Sequence, residues 1–340
     1  MLSAIRNART SIDIEQFIFS NDIIGKEFIA ALRERRRAGV RIRLLLDTVG
    51  SFGFFRSTLP DELRAEGFEI RFFNVIKLWR VGNASSWFFR DHRKILIIDN
   101  AVAFTGGSGI RDDMAHWRDT DVRITGQVVD EIKYAFEQMW VQAISRDFLS
   151  RMRQARRAVR GFHFITNAPY WKKRFLYESL IEAIRSARSY VYLTTPYFVP
   201  DRRLRRVLRL ARKRGVDVRV LVPAVPNEPF VSRASHSYYE ELLATGIRIF
   251  HYTKEFLHAK TAVIDGEWST LGSFNLDSLS FFYNHEANIV SLERHAAESI
   301  RDHFMSDLVH AEEIHPETWA KRPFSQKIKE FLIIPFRRFV

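Results

Sequence analysis

His258-Ala259-Lys260, then Asp265, then Gly272-Ser273-Phe274-Asn275 reads H-x-K-x4-D-x6-G-S-x-N, and the chain carries a second copy. The earlier copy is His92-Arg93-Lys94, Asp99 and Gly106-Gly107-Ser108, with the same internal spacing. In each, the His and Lys open an apolar run, Lys94-Ile-Leu-Ile-Ile-Asp99 or Lys260-Thr-Ala-Val-Ile-Asp265. Such a run predicts a short buried strand, and the glycines after it predict a turn. Residues two apart on a strand share a face, so His92 and Lys94 are expected to point one way, as are His258 and Lys260. A neutral imidazole can be a nucleophile and an imidazolium a general acid. A neighbouring lysine offers fixed positive charge to a phosphate oxygen. One His near one Lys is ordinary surface chemistry. Two copies at identical spacing can divide nucleophile and acid between them, as displacement at a phosphodiester requires.

Outward from the two motifs, the whole chain repeats. Ala4-Ile5-Arg6-Asn7-Ala8-Arg9 leading to Ser11-Ile12-Asp13-Ile14 parallels Ala183-Ile184-Arg185-Ser186-Ala187-Arg188 leading to Ser189-Tyr190-Val191-Tyr192. Aromatic strand ends follow, Gln16-Phe17-Ile18-Phe19 and Pro196-Tyr197-Phe198-Val199. Next comes a basic amphipathic helix ending at Gly39 or Gly215, then the strand 40–46 or 216–222. Strand, helix and strand within some forty residues form a parallel βαβ unit, with glycine as the usual C-cap. A second helix and strand are expected at 61–66 and 69–73, and again at 237–244 and 248–251, before each motif strand. Helices at 130–143 and 296–311 are expected to close the two halves. The aromatic, Asn- and Ser-containing loop 79–89 and the loop Pro223 to Pro229 are candidates for substrate contact.

Composition narrows the chemistry. The 340 residues contain no cysteine, which excludes disulfides and thiolate catalysis, and no H-E-x-x-H metal pattern appears. Net charge is +13, which favours a polyanion as partner, nucleic acid or an anionic membrane surface, without choosing between them. No stretch approaches the roughly 20 apolar residues that span a bilayer. The first residues, Met1-Leu-Ser-Ala-Ile-Arg, are expected to start a helix rather than a signal peptide. Residues 151–160 hold five arginines and no acid, which suggests an exposed linker. The last twenty residues mix basic and bulky apolar side chains in a way that suits the headgroup region of an anionic membrane.

The double motif resembles the phospholipase D superfamily, in which each half supplies one H-x-K-x4-D element. The context Arg90-Asp91-His92-Arg93-Lys94, Trp117-Arg118-Asp119 and Phe256-Leu257-His258-Ala259-Lys260 looks most like bacterial cardiolipin synthases. The resemblance implies an α/β fold of two similar α/β/α lobes about a pseudo-twofold axis, with the active site at their seam. The expected division is a first lobe at 1–150, a basic linker at 151–165, a second lobe at 166–315 and a basic amphipathic tail at 316–340. Many cardiolipin synthases carry N-terminal membrane helices. Without one, this chain resembles a peripheral or truncated member.

The resemblance also implies roles. His92 attacks phosphorus to give a phosphohistidine, and His258 serves as acid and base, so the two need opposite protonation states. Lys94, Lys260, Ser108, Ser273 and Asn275 hold phosphoryl oxygens, with Ser108 standing where the first turn lacks the family's Asn. Asp99 and Asp265 are structural supports. Asp119, 20 residues after Asp99, and Glu286, 21 after Asp265, are expected to hydrogen-bond the histidine of their own half, with Asp121 in reserve for the first. The implied function is a phosphatidyltransferase joining phosphatidylglycerols into cardiolipin without metal or cofactor. The expected location is peripheral on the cytoplasmic side of a bacterial inner membrane. A phospholipase D releasing phosphatidic acid and a nuclease are the alternatives; a non-catalytic binder is disfavoured because both His-Lys pairs are intact. Nucleic acid is not an obligate partner, and the acceptor alcohol and oligomeric state are unspecified.

Overall fold

The computed structural model describes residues 1–75, 89–144, 161–169 and 174–339. The arginine-rich stretch 151–160 and most of the aromatic loop, 79–88, lie outside the described residues. The chain forms two compact units, and neither is continuous in sequence. The first is made of the described residues of Met1–Ala115, Asp121–Val159 and Asn284–Ala287, and the second of those of His116–Thr120, Arg160–Tyr283 and Asn288–Val340.

The first unit contains β1 Ser11–Gln16, β2 Arg41–Asp47, β3 Glu69–Phe73, β4 Arg90–Asp91, β5 Lys94–Ile98, β6 Val102–Gly106 and β7 Asp121–Thr125. Six of them form one sheet in the order β3-β2-β1-β5-β6-β7. β1, β2 and β3 run parallel, and β5 turns back antiparallel between β1 and β6. The helix Ile23–Arg37 makes the first crossover. Asp22 caps it by accepting from the Gly25 N–H at 3.0 Å, and Gly39 ends it at φ +87°. Its Phe28 and Leu32 pack on Ile12, Ile14, Ile42 and Leu44, burial that accounts for the apolar periodicity.

The second unit repeats the plan with β8 Phe162–Asn167, β9 Tyr190–Thr194, β10 Asp217–Pro223, β11 Arg248–Tyr252, β12 Thr261–Ile264, β13 Trp268–Gly272, β14 Asn284–Ser291 and β15 Ala311–Ile314. Its order is β15-β11-β10-β9-β12-β13-β14, with β8 beside β14. The repeat extends to single contacts. Gly67 (φ +90°) and Gly246 (φ +81°) each end a helix in the left-handed region, and a Cβ at either would meet the guanidinium of an arginine, Arg36 or Arg212, from the first crossover helix of its unit. That arginine also donates to a backbone carbonyl, Val40 O or Val216 O. Glycine is needed there for the left-handed conformation. The architecture is thus the expected α/β pair of similar units.

Several elements differ in detail. The helix expected at 237–244 is Tyr239–Leu243, and an additional helix, Pro229–His236, precedes it, with Pro229 pre-setting its first turn. The closing helix expected at 296–311 is Arg294–Leu308, and Ala311 begins β15 antiparallel to β11. The expected tail folds as helices Pro316–Ala320 and Phe324–Ile333, and their Trp319 and Ile333 join the second unit's core. Among the described residues no helix is long and apolar enough to cross a membrane.

Beneath Trp319 lie two histidines. The His236 ring is 5.2 Å from Trp319 and 5.8 Å from His251, and Tyr239 Oη sits 3.2 Å from His251 Nε2. Burial, then the charge of Arg322, lowers His236 to about 4; burial, then His236, lowers His251 to about 4. Both rings bind protons more readily unfolded, so their contribution is complete above their ordinary value of 6.5 and is lost as pH falls toward 4. Thermal unfolding between pH 7.5 and 4.5 is expected to show falling stability. The slope should approach about 1.4 kcal/mol per pH unit for each histidine, and His251→Gln should flatten it.

Candidate active site

Each motif histidine sits just before its strand rather than in it: β5 begins at Lys94 and β12 at Thr261, one residue after Lys260. The face-sharing argument therefore does not place the imidazoles. Backbone hydrogen bonds do. In the first unit Asn284 and His285 of β14 pair in parallel with Arg90 and Asp91 of β4, and the His92 N–H donates to His285 O at 3.0 Å. In the second unit the N–H groups of His258 and Ala259 both donate to Arg118 O, at 2.9 and 3.1 Å, while the Arg118 N–H donates to Phe256 O at 2.9 Å. Arg118 is anchored in turn by Asp307 at 2.8 Å.

These pairings decide which carboxylate meets which imidazole, and they overturn the expectation from sequence. His92 Nδ1 lies 2.9 Å from Glu286 Oε2, and His258 Nδ1 lies 2.5 Å from Asp119 Oδ2. Each carboxylate thus serves the histidine of the other half of the sequence, because its segment is laced to that half's motif by backbone hydrogen bonds. Asp121, held in reserve for His92, instead accepts from the Ser108 hydroxyl. Neighbouring groups orient both carboxylates: Asn284 Nδ2 donates to Glu286 at 3.2 Å, and the Thr120 N–H to Asp119 at 2.8 Å. An ionised carboxylate only accepts, so in each ring Nδ1 carries a proton and Nε2 is left as the reacting nitrogen, a lone pair in a neutral imidazole and an acid in an imidazolium.

The two lysines are buried and matched. Lys94 Nζ donates to His92 O at 2.6 Å, and Lys260 Nζ to His258 O at 2.5 Å. Each motif aspartate turns back at positive φ, Asp99 at +53° and Asp265 at +55°. Asp99 accepts from the N–H groups of Arg9, Thr10 and Ser11, and Asp265 from those of Arg188, Ser189 and Tyr190. Burial pushes the Asp99 carboxyl up, but these donors outweigh it and hold the group below its ordinary value. In the second turn the Gly272 N–H donates to Lys260 O at 3.2 Å, Ser273 is fully buried, and buried Asn275 Oδ1 has no hydrogen-bond partner among the described residues.

Other neighbours of the imidazoles escaped the motif reading. Phe17 stands edge-on to His92 with centroids 4.9 Å apart, and Trp117 lies 4.9 Å from His258. Around His92 the flanking residues are ionic. Arg93 is fully buried and donates to fully buried Glu15, lies 3.6 Å from Asp91, and reaches Ala135 O at 3.2 Å. The Asp91 N–H donates to Asp47 at 3.0 Å, and Asp47 pairs with Arg90 at 3.4 Å. Burial, then the charge of Glu15, pushes the Asp91 carboxyl well above its usual range; burial also raises Glu15, against the pull of Arg93. The residues flanking His258 are Leu257 and Ala259, both buried and apolar. A signal was present: Asp13 and Glu15 interrupt a strand whose every residue is buried.

Residues 1–140 and 180–308 match the family described as "Cardiolipin synthase, PLD-like domain". The chain is 34% identical over 342 residues to a cardiolipin synthase of Geobacillus kaustophilus, covering 97% of this chain and 68% of the relative. It is 32% identical over 354 residues to one from Clostridium perfringens, covering 98% and 72%. Among solved structures, phosphatidylserine synthase of Haemophilus influenzae superposes with a TM-score of 0.73 at 11% identity, covering 100% of this chain and 92% of the other; at that identity the likeness is one of fold.

The buried ionic cluster makes a sharp demand on stability. Arg93→Ala strands Glu15 and Asp91 without their cation and is expected to cost about 3–5 kcal/mol in urea unfolding. Arg93→Met, which restores volume but not charge, should recover little of that loss.

Proposed function

The chain belongs to the family of cardiolipin synthases with phospholipase D-like domains, and from that premise we propose that it is a phosphatidyltransferase that joins two phosphatidylglycerols into cardiolipin and releases glycerol. The observation that carries the reading is the duplicated unit of imidazole, buried lysine and carboxylate on Nδ1, complete on both motifs. A single copy would supply a nucleophile or an acid. Two copies supply both.

In the proposed mechanism His92 Nε2 attacks the phosphorus of the donor lipid. The bond from phosphorus to the glycerol headgroup oxygen breaks, and His258, entering as imidazolium, protonates that oxygen. A phosphatidyl group is now held on nitrogen. His258, left neutral, takes the proton from a hydroxyl of the second phosphatidylglycerol as its oxygen attacks phosphorus and the P–N bond breaks. Both histidines return to their starting states. Glu286 and Asp119 fix the tautomers and stabilise positive charge on the rings. Lys94 and Lys260 neutralise the phosphoryl oxygens, Asn275 and Ser273 add hydrogen bonds in the second motif, and Ser108 takes that place in the first. Asp99 and Asp265 hold the strand ends. The substrate is a bilayer lipid, so the enzyme works at an anionic membrane surface; we place it on the cytoplasmic face of a bacterial inner membrane.

The test is mass spectrometry of lipids after incubating purified protein with phosphatidylglycerol vesicles. Cardiolipin is expected with wild type and not with His92→Ala or His258→Ala. Phosphatidic acid without cardiolipin would make the enzyme a hydrolase. Glu286→Gln and Asp119→Asn are each expected to lower turnover about 10²-fold or more, with thermal stability little changed.

A further inference from the structure

The helix Phe324–Ile333 is built inside out. At 100° per residue, Phe324, Ile328, Phe331 and Leu332 fall on one side, and Gln326, Glu330 and Ile333 on the other. In an ordinary surface helix the apolar side faces the protein. Here Glu330 faces inward, buried, where Arg322 reaches it at 2.9 Å and Gln326 Nε2 donates at 2.9 Å. The apolar side faces out: Phe324 is 77% exposed, Phe331 71%, Leu332 63% and Ile328 45%. Ile334 and Phe336, in the turn that follows, are exposed as well. The Pro229–His236 helix, on which this one packs, exposes Phe230, and the loop before it exposes Val225.

This exposure is not that of a loose end. Trp319 and Ile333 belong to the core, Arg322 spans Glu330 and Glu240, and the Arg337 guanidinium lies 4.1 Å from the Tyr238 ring centroid. The segment is fixed by its polar face and holds its apolar face outward, so many large side chains in one patch call for an apolar partner. Charge says which kind. Residues 316–340 contain six basic residues and two acids, and the only acid in the helix is the buried Glu330. Lys321 and Lys329 are exposed beside the apolar face.

We propose that this face is the membrane-docking surface of the second unit: Phe324, Ile328, Phe331, Leu332, Ile334 and Phe336 enter the headgroup–acyl boundary of an anionic bilayer, with Lys321 and Lys329 on lipid phosphates. The choice of a bilayer over an apolar protein partner rests on the reading above that the substrate is a membrane lipid. The inside-out pattern itself does not. An interfacial helix of this kind binds through apolar burial plus attraction to anionic headgroups.

The experiment compares full-length wild type with Phe324→Ser/Phe331→Ser/Leu332→Ser. The three side chains are exposed, so the variant is expected to keep its melting temperature and its circular dichroism. Flotation with phosphatidylglycerol-containing vesicles should show binding weakened at least about tenfold in the variant, and Lys321→Glu/Lys329→Glu should remove the preference for anionic over phosphatidylcholine vesicles. Cardiolipin formation from vesicles should fall in parallel, while turnover of short-chain phosphatidylglycerol kept below its micellar concentration stays within about twofold of wild type. Equal vesicle binding by wild type and variant overturns the proposal. So does a wild-type dimer that the triple substitution makes monomeric, which would assign the face to a second copy of the chain. Wild type that binds vesicles through this face yet makes no cardiolipin sinks the proposed activity and supports the docking surface.

Discussion

The hydrogen bond from each motif imidazole to a carboxylate is the constraint on which the rest of the structure turns. His92 is held by Glu286 and His258 by Asp119, so neither half of the sequence contains a complete pair. A linear division of the chain at its middle would leave two histidines without their orienting acceptors. The fold meets the constraint by lending short segments, Asn284–Ala287 to the first unit and His116–Thr120 to the second. Each lent segment is stitched by main-chain hydrogen bonds to the residues around the histidine, which fixes the backbone, and Asn284 or the Thr120 N–H orients the carboxylate it carries. The active-site chemistry is thereby tied to the integrity of the whole chain.

The duplication is close in backbone and unequal in electrostatics. Strand order, glycine caps, the arginines above Gly67 and Gly246, and the left-handed motif aspartates recur in both units. Yet the residues flanking His92 in sequence, Asp91 and Arg93, are buried and ionic and lead to Asp47, Arg90 and Glu15, while those flanking His258 are the apolar Leu257 and Ala259. A buried set of three carboxyls and two guanidiniums holds its neighbours to one geometry, since any loosening leaves an uncompensated charge in a medium of low dielectric. That rigidity fits the nucleophilic role proposed for His92, since a nucleophile's nitrogen must meet phosphorus within narrow limits of distance and angle.

Around Trp319 the same economy of buried polarity appears. His236 and His251 are neutral beneath the indole, and Arg322 answers Glu330 and Glu240. Glu330, Gln326 and Arg322 of the terminal segment bond one another on its inner side, which leaves Phe324, Ile328, Phe331 and Leu332 outside. Composition alone could not separate these two sides. A stretch rich in both basic and apolar residues reads as amphipathic in either orientation, and only the contacts say which side faces the protein.

From the sequence came the α/β class, the internal repeat, the strand that follows each His-x-Lys, the glycine caps and the identity of the histidines, lysines and carboxylates. The class, repeat, strands and caps rest on local spacing and periodicity, which a chain displays without folding, and the carboxylates on the family resemblance that the motifs carry. Tertiary structure decided what depends on residues far apart in sequence. It crossed the carboxylates between halves, because proximity in a fold follows strand pairing rather than residue count. It gave Asp121 to Ser108, and set Arg93 against Glu15 seventy-eight positions away. It also turned Glu330 inward. Spacing announces which groups the chemistry uses; only the hydrogen-bonded pairing of distant segments determines which of them meet.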